Sequence, residues 1–246
     1  MCTVSAARAP DGTALRVLVN RDERRLRMLA RPPERVVVDG VPAVWPVDQE
    51  AGGTWAAVTA HGLAFALLNV SRAGSSGSDC GNLISRGTVI PFLAPSCDLD
   101  EVAHRFASGP AHWNCLPFQV LAASFDGLVL LRPQGAVALE PPAIVSTSSL
   151  GDELVEGPRR ELFDNLLRSS KTAWQAQDRL HQHAWPDRRH LSVLMSRADA
   201  CTVSRTEMII RRDRVEMRYA ALVDGWPAGV AAPAARLDCL RHAAVA

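Results

Sequence analysis

An α+β fold built from antiparallel sheets is predicted by three features of this sequence. Short apolar runs occupy both ends of the chain, tight turns of two or three residues join most of them, and the helical patterns cluster centrally. A doubly wound parallel sheet would need a long crossover between successive strands, whereas nearly every connection between strands here reads as a hairpin.

Residues 2–9 and 13–20 flank Pro10-Asp11-Gly12, in which proline fixes φ and glycine tolerates a positive one, so the chain opens with a β-hairpin. Arg-rich residues 24–35, closing at Pro32-Pro33, read as a solvated loop. A small hairpin follows, 36–38 and 41–44 about Asp39-Gly40. Gly52-Gly53-Thr54-Trp55 opens a strand that turns at His61-Gly62 and ends at Asn69. The Gly/Ser-rich stretch 70–82 is expected to be a loop at a strand end, where sites are commonly built. Asp98 is a suitable N-cap for a helix whose Leu99, Val102, Ala103 and Phe106 follow the 3.6 period. Residues 117–124 and 128–132 form a third hairpin about Phe125-Asp126-Gly127, and 136–139 and 144–148 extend the β pattern around Pro141-Pro142. Pro158 marks an expected helix start, a second helix spans roughly 172–184, and 201–211 with 214–220 form the last hairpin. The alanine-rich tail after Gly225 fits neither pattern.

At 246 residues the chain is read as one domain over 1–246, and 48% hydrophobic residues suffice for a core. The formal net charge of +1 gives no footprint for nucleic acid or for an anionic membrane, so neither is expected as a partner. All the basic residues but Lys171 are arginine, a skew that fits codon bias better than a phosphate-binding surface. The longest apolar runs, near 63–70 and 128–131, are far short of the ~20 residues that span a bilayer. The six cysteines form no CxxC pair and no zinc-like spacing, so no metal or cofactor is expected and the cytoplasm is the default location. His181 and His183 lie two apart on an expected helix and do not share a face.

Chemistry concentrates at the start. If Met1 is removed, Cys2 carries a thiol and a free α-amine whose reference pKa is roughly 7.7–8.0. A neutral amine can serve as general base for its own side chain, the N-terminal form of the nucleophile–base pair. Cys80, Cys97, Cys115, Cys201 and Cys239 read as small apolar residues. The strand from Leu15 ends in Asn20-Arg21-Asp22-Glu23, where period-2 geometry puts Asn20 and Asp22 on one face and Val19 and Arg21 on the other.

The opening MCT, then NRDE at 20–23, GGTW at 52–55, LLN at 67–69, VSTSSLGDELVEGPRRELF at 145–163 and VSRTEMII at 203–210 resemble, in that order, the NRDE family, which includes the transport and Golgi organisation protein 2 group. The resemblance implies an N-terminal nucleophile (Ntn) hydrolase-like fold, a four-layer αββα sandwich with two antiparallel sheets. It also implies likeness to the choloylglycine hydrolases and penicillin V acylases, which begin Met-Cys and cleave amides. By that likeness Cys2 is the nucleophile, Asp22 contacts its amine, Asn69 helps form an oxyanion hole and Arg205 helps hold the site. Val19 stands where those enzymes have an arginine, and Thr147 or Ser148 where they have a second asparagine. Asn20, Arg21, Thr147 and Ser148 are expected around the substrate.

Two functions follow as expectations. One is a cysteine hydrolase or acyltransferase acting on a small substrate, an amide or thioester with an apolar acyl group. The other, implied by the family, is a non-catalytic carrier or trafficking protein for haem or acyl-CoA/lipid using the same cleft, though no CxxCH haem motif occurs.

Overall fold

The N-terminal hairpin forms as expected: β1 (Cys2–Arg8) pairs antiparallel with β2 (Leu15–Arg24), Cys2 opposite Arg21 and Thr3 opposite Asn20. The computed structural model describes residues 2–70, 83–223, 225–227 and 234–240. The expected loop at 70–82 lies, apart from Val70, outside them.

β3 (Arg31–Val38) and β4 (Val41–Val47) turn at Asp39-Gly40, both at positive φ, 48° and 82°. This is the two-residue turn whose twist suits a hairpin. The expected loop over 24–35 is thus shorter: the strand begins at Arg31 and carries Pro32 and Pro33 within it. It lies at a sheet edge, with a register shift between Arg31 and Glu34, which is where prolines lacking an N–H are tolerated. β5 (Ala56–Thr59) and β6 (Ala64–Asn69) follow, then a 3₁₀ turn at Arg86–Thr88, α1 (Val89–Leu93) and α2 (Leu99–Ser108). Asp98 caps α2, accepting from the Glu101 N–H. β7 (Phe118–Ala123), β8 (Leu128–Arg132), β9 (Gly135–Leu139) and β10 (Ala143–Ser146) lead to α3 (Glu153–Ser169) and α4 (Ala173–His181). Pro158 is not the helix start but lies inside α3. It removes only the N–H that would bond to Leu154, and the buried stripe Val155, Arg159, Phe163 and Leu166 carries the helix through it. β11 (Ala200–Ile210), β12 (Arg214–Val223), β13 (Trp226–Pro227) and β14 (Ala235–Asp238) complete the chain, the ambiguous tail supplying strands that pair with β12.

One sheet runs β10-β1-β2-β11-β12-β13, with β14 also on β12; the other runs β3-β4-β5-β6-β7-β8-β9, and both are antiparallel. Val4, Val17, Val19, Met208 and Met217 of the first sheet meet Val44, Trp55, Val58, Leu121 and Leu130 of the second. Ile90, Leu93, Val102 and Phe106 of α1 and α2 pack on Phe65, Leu67, Val120 and Leu131. Phe163, Leu166, Ala176 and Leu180 of α3 and α4 cover Ile144 on the opposite outer face. The result is a four-layer αββα sandwich. Because both faces of β1 and β2 are covered, Cys2 to Ala7 and Leu15 to Asp22 are buried throughout, and their polar members must find partners inside the protein.

Candidate active site

Strand parity decides what surrounds Cys2. The residues on the inter-sheet face of β1 and β2 include Cys2, Val4, Val19 and Arg21, while Thr3, Ser5 and Asn20 face α3 and α4. A cleft opens at the inter-sheet end of these strands. Its walls include Cys2, Asp22, Asn69, Trp55, Arg21 and Arg86.

Cys2 is held at both of its backbone groups. Its N–H donates to Thr147 Oγ1 at 3.2 Å, and its carbonyl accepts from Thr147 N at 3.0 Å. The nitrogen that would become the α-amine if Met1 were removed therefore already has a hydroxyl partner. Burial pushes the Cys2 thiol above its usual pKa, although the Arg21 charge and the Asp22 backbone N–H act the other way. The thiol thus stays protonated at neutral pH unless a base takes its proton.

Asp22 is buried and accepts from Thr202 Oγ1 at 2.6 Å. Burial raises its carboxyl, and the Arg159 charge is the largest effect opposing that rise. Arg159 was not foreseen. It projects from the apolar stripe of α3, is 1% exposed, and donates to Thr3 Oγ1 at 2.7 Å and to the Ser192 carbonyl at 2.7 Å. Asp22 is the foremost group that favours its charge. A cation standing in an otherwise apolar helical stripe was the sequence signal for it. Thr202 was also missed; it precedes the VSRT run, where β11 bulges between Thr202 and Ser204 opposite Asp22 and Arg21.

Arg21 takes the inter-sheet position beside Cys2. Its guanidinium lies 4.2 Å over the Trp55 ring and donates to Asp48 Oδ2 at 2.7 Å and Glu23 Oε2 at 3.3 Å. Arg27 joins the same group, 2.9 Å from Asp48 Oδ2. Burial acts to raise the Asp48 carboxyl, but the Arg27 hydrogen bonds, the Ala51 N–H and the Arg21 charge outweigh it and leave it below the usual range. Gly53 is needed for close approach: a Cβ there would sit 2.5 Å from Gly87 Cα, and Thr54 N donates to the Gly87 carbonyl at 3.1 Å. This approach to the Gly87 backbone fixes the neighbouring Arg86 in the cleft wall.

Of the residues expected at the site, Cys2, Asp22, Asn69 and Arg21 meet in the cleft, and Thr147 holds the Cys2 backbone. Three others are not brought there. Ser148 caps the turn into α3, its N–H donating to Asp152 Oδ1 at 2.7 Å. Asn20 faces α4, its amide donating to the carbonyls of His181 and Val193. Arg205 pairs with Asn20 across the sheet, so it shares that face and lines a separate cleft with Asp178, Gln182 and Glu207. Asn20 and Arg205 therefore stand on the wrong side of the sheet to touch a substrate at Cys2.

The profile of the Transport and Golgi organisation 2 family matches residues 1–211. The chain belongs to this family. Among curated proteins none matches it. Solved structures resemble it in fold at low identity. A mutant of the conjugated bile acid hydrolase from Clostridium perfringens is 11% identical, with a TM-score of 0.51, covering 97% of this chain and 92% of that one. The Caenorhabditis elegans ortholog of N-acylethanolamine-hydrolyzing acid amidase is 13% identical, with a TM-score of 0.53, covering 84% and 92%. These likenesses identify the Ntn-hydrolase-like fold of this family member. Among the described residues no helix is long and apolar enough to cross a membrane.

Proposed function

We propose that this family member is an N-terminal-nucleophile cysteine hydrolase or acyltransferase, acting on an amide or thioester once Met1 is removed. One observation carries the reading: the Cys2 thiol lines a cleft with Asp22 and Asn69 while Thr147 grips the Cys2 nitrogen. The free α-amine accepts the thiol proton, and the sulfur attacks the acyl carbonyl carbon. Asn69 donates to the oxyanion that forms. The ammonium then returns its proton to the leaving amine or thiol, leaving an acyl thioester on Cys2. Water, or a second nucleophile in acyl transfer, attacks this thioester and gives its proton to the amine; the C–S bond breaks, the acyl product leaves, and the ammonium returns the proton to the sulfur. Asp22, its charge favoured by Arg159, orients the ammonium form. Trp55 and Leu67 offer apolar surface for the acyl group. The alternative, a non-catalytic carrier of haem or acyl-CoA/lipid, has less support, because it leaves the placing of Cys2 beside Asp22 and Asn69 without a use.

Intact mass of the purified protein followed by a panel of N-acyl amides and acyl thioesters tests this. The expected result is loss of Met1, turnover of a panel member and an acyl adduct on Cys2. Retention of Met1, or equal turnover by Cys2→Ala, overturns it. Asn69→Ala is expected to cut kcat by roughly 100-fold.

A further inference from the structure

We infer that the cleft beside Cys2 is built for an acyl compound bearing an oxyanion, a carboxylate or phosphate, with Arg86 as the residue that selects it. The inference deepens the hydrolase reading and rests on it only for the identity of the acyl bond. Three arginines line the cleft: Arg21, Arg27 and Arg86. Two of them are already neutralised. Arg21 is bonded to Asp48 and Glu23, and Arg27 to Asp48 with Glu50 at 3.5 Å. The carboxylate of Asp22 is matched from behind by Arg159.

Arg86 has no carboxylate within ion-pair distance among the described residues. Among the described residues its one hydrogen bond runs from Nη1 to the Pro117 carbonyl at 3.1 Å, which fixes the guanidinium and leaves Nη2 and Nε without a partner there. Burial lowers its pKa, so water does not fully replace the missing counterion. The nearby groups acting on its charge are Cys115, Glu23 and Cys2, of which Glu23 is held by Arg21 and Arg27. A half-buried, anchored guanidinium with free donors matches the fork geometry of an oxyanion. Its position in the same cleft as the nucleophile makes that oxyanion part of the substrate.

Arg86 could instead serve the Cys2 thiolate, so the test removes the thiol. In a Cys2→Ala background, calorimetric binding of N-dodecanoylglycine is compared with that of the neutral N-dodecanoylglycinamide. The carboxylate is expected to bind roughly 10-fold or more tightly, and Arg86→Gln to bring the ratio near one. Arg86→Lys keeps the charge without the fork and is expected to retain an intermediate preference. Inorganic phosphate is expected to compete with the carboxylate form. Equal binding of the two ligands, no binding of either, or a preference that survives Arg86→Gln overturns the inference. Thermal melting of each variant establishes that it is folded, and Arg86→Lys decides the matter if Arg86→Gln is not. Turnover by the wild type is scored separately. Hydrolysis without anion preference defeats this inference alone, and anion preference without hydrolysis defeats the enzymatic reading alone.

Discussion

β1 carries a nucleophile-like arrangement on each face, and the two differ in a single decisive way. On the α4 side, Ser5 Oγ lies 2.8 Å from His181 Nε2, and His181 Nδ1 lies 3.0 Å from Asn20 Oδ1. Asn20 gives its amide protons to two carbonyls, so its oxygen must accept from His181 Nδ1–H, and Nε2 is left to accept from the Ser5 hydroxyl. Gln177 donates to the same hydroxyl and accepts from Arg16, which completes the chain of bonds. By distance and order this is a Ser-His-Asn triad. Yet Ser5 and Asn20 are fully buried and His181 is 1% exposed, so no acyl group reaches the serine. On the inter-sheet side, no such relay reaches Cys2 among the described residues, but a cleft does. Hydrogen-bond geometry alone therefore does not make a catalytic site; access to the nucleophile must accompany it. The serine network instead satisfies polar groups sealed between the sheet and α4.

Activity should separate the two faces most widely. Cys2→Ala is expected to lower acyl turnover by about 1000-fold or more with little change in folding, since other members of such a unit leave only residual catalysis. Ser5→Ala is expected to leave turnover within a few-fold and to cost about 1–3 kcal/mol of stability, because His181 and Gln177 lose a partner. Parallel kinetics and urea unfolding distinguish them, and a large activity loss in Ser5→Ala would reverse the comparison.

Arg159 connects the helix layer to the cleft, since it bonds Thr3 and its charge acts on Asp22. Arg159→Met should destabilise by about 3–5 kcal/mol, the cost of leaving a buried partner charge uncompensated. It should also raise the Asp22 pKa further and shift the acidic limb of kcat to higher pH. A loss of stability with an unmoved pH profile would confine Arg159 to the fold.

His181 gives a pH signature to the serine side alone. Burial, aided by the charges of Arg205, Arg16 and Arg159, drives its pKa from 6.5 down to about 3. The folded state thus favours neutral imidazole. This contribution is fully present above the unfolded pKa of 6.5 and is lost as pH falls toward 3. Between pH 7 and pH 5 about 2 kcal/mol should disappear, and His181→Gln should flatten that slope in urea titrations.

The smallest effect is expected from Thr147→Val, which removes the acceptor for the Cys2 nitrogen. A drop in kcat of about 10-fold, with roughly 1 kcal/mol of stability lost, would match one hydrogen bond that orients the amine. An unchanged kcat would leave Thr147 with the backbone alone.

The amino-acid sequence by itself determined the hairpins, because proline, glycine and Asp-Gly turns act through local dihedral limits. Asp39-Gly40 and the Asp98 cap were legible for that reason. It determined too that Asn20 and Arg21 point to opposite faces, since the period of two is intrinsic to a strand. Which face meets Cys2 could not be read, because that depends on the pairing of Cys2 with Arg21 and on the layers closing over each side. The likeness that favoured Asn20 and Arg205 therefore pointed through the sheet to the helix side. Tertiary structure alone brought Arg159 from α3 under Asp22 and Gly87 against Gly53, contacts that span 137 and 34 positions. The bulge opposite Asp22 and the ion pairs that leave Arg86 without a counterion among the described residues belong to the same class. Each depends on the meeting of distant segments, which local preference does not encode.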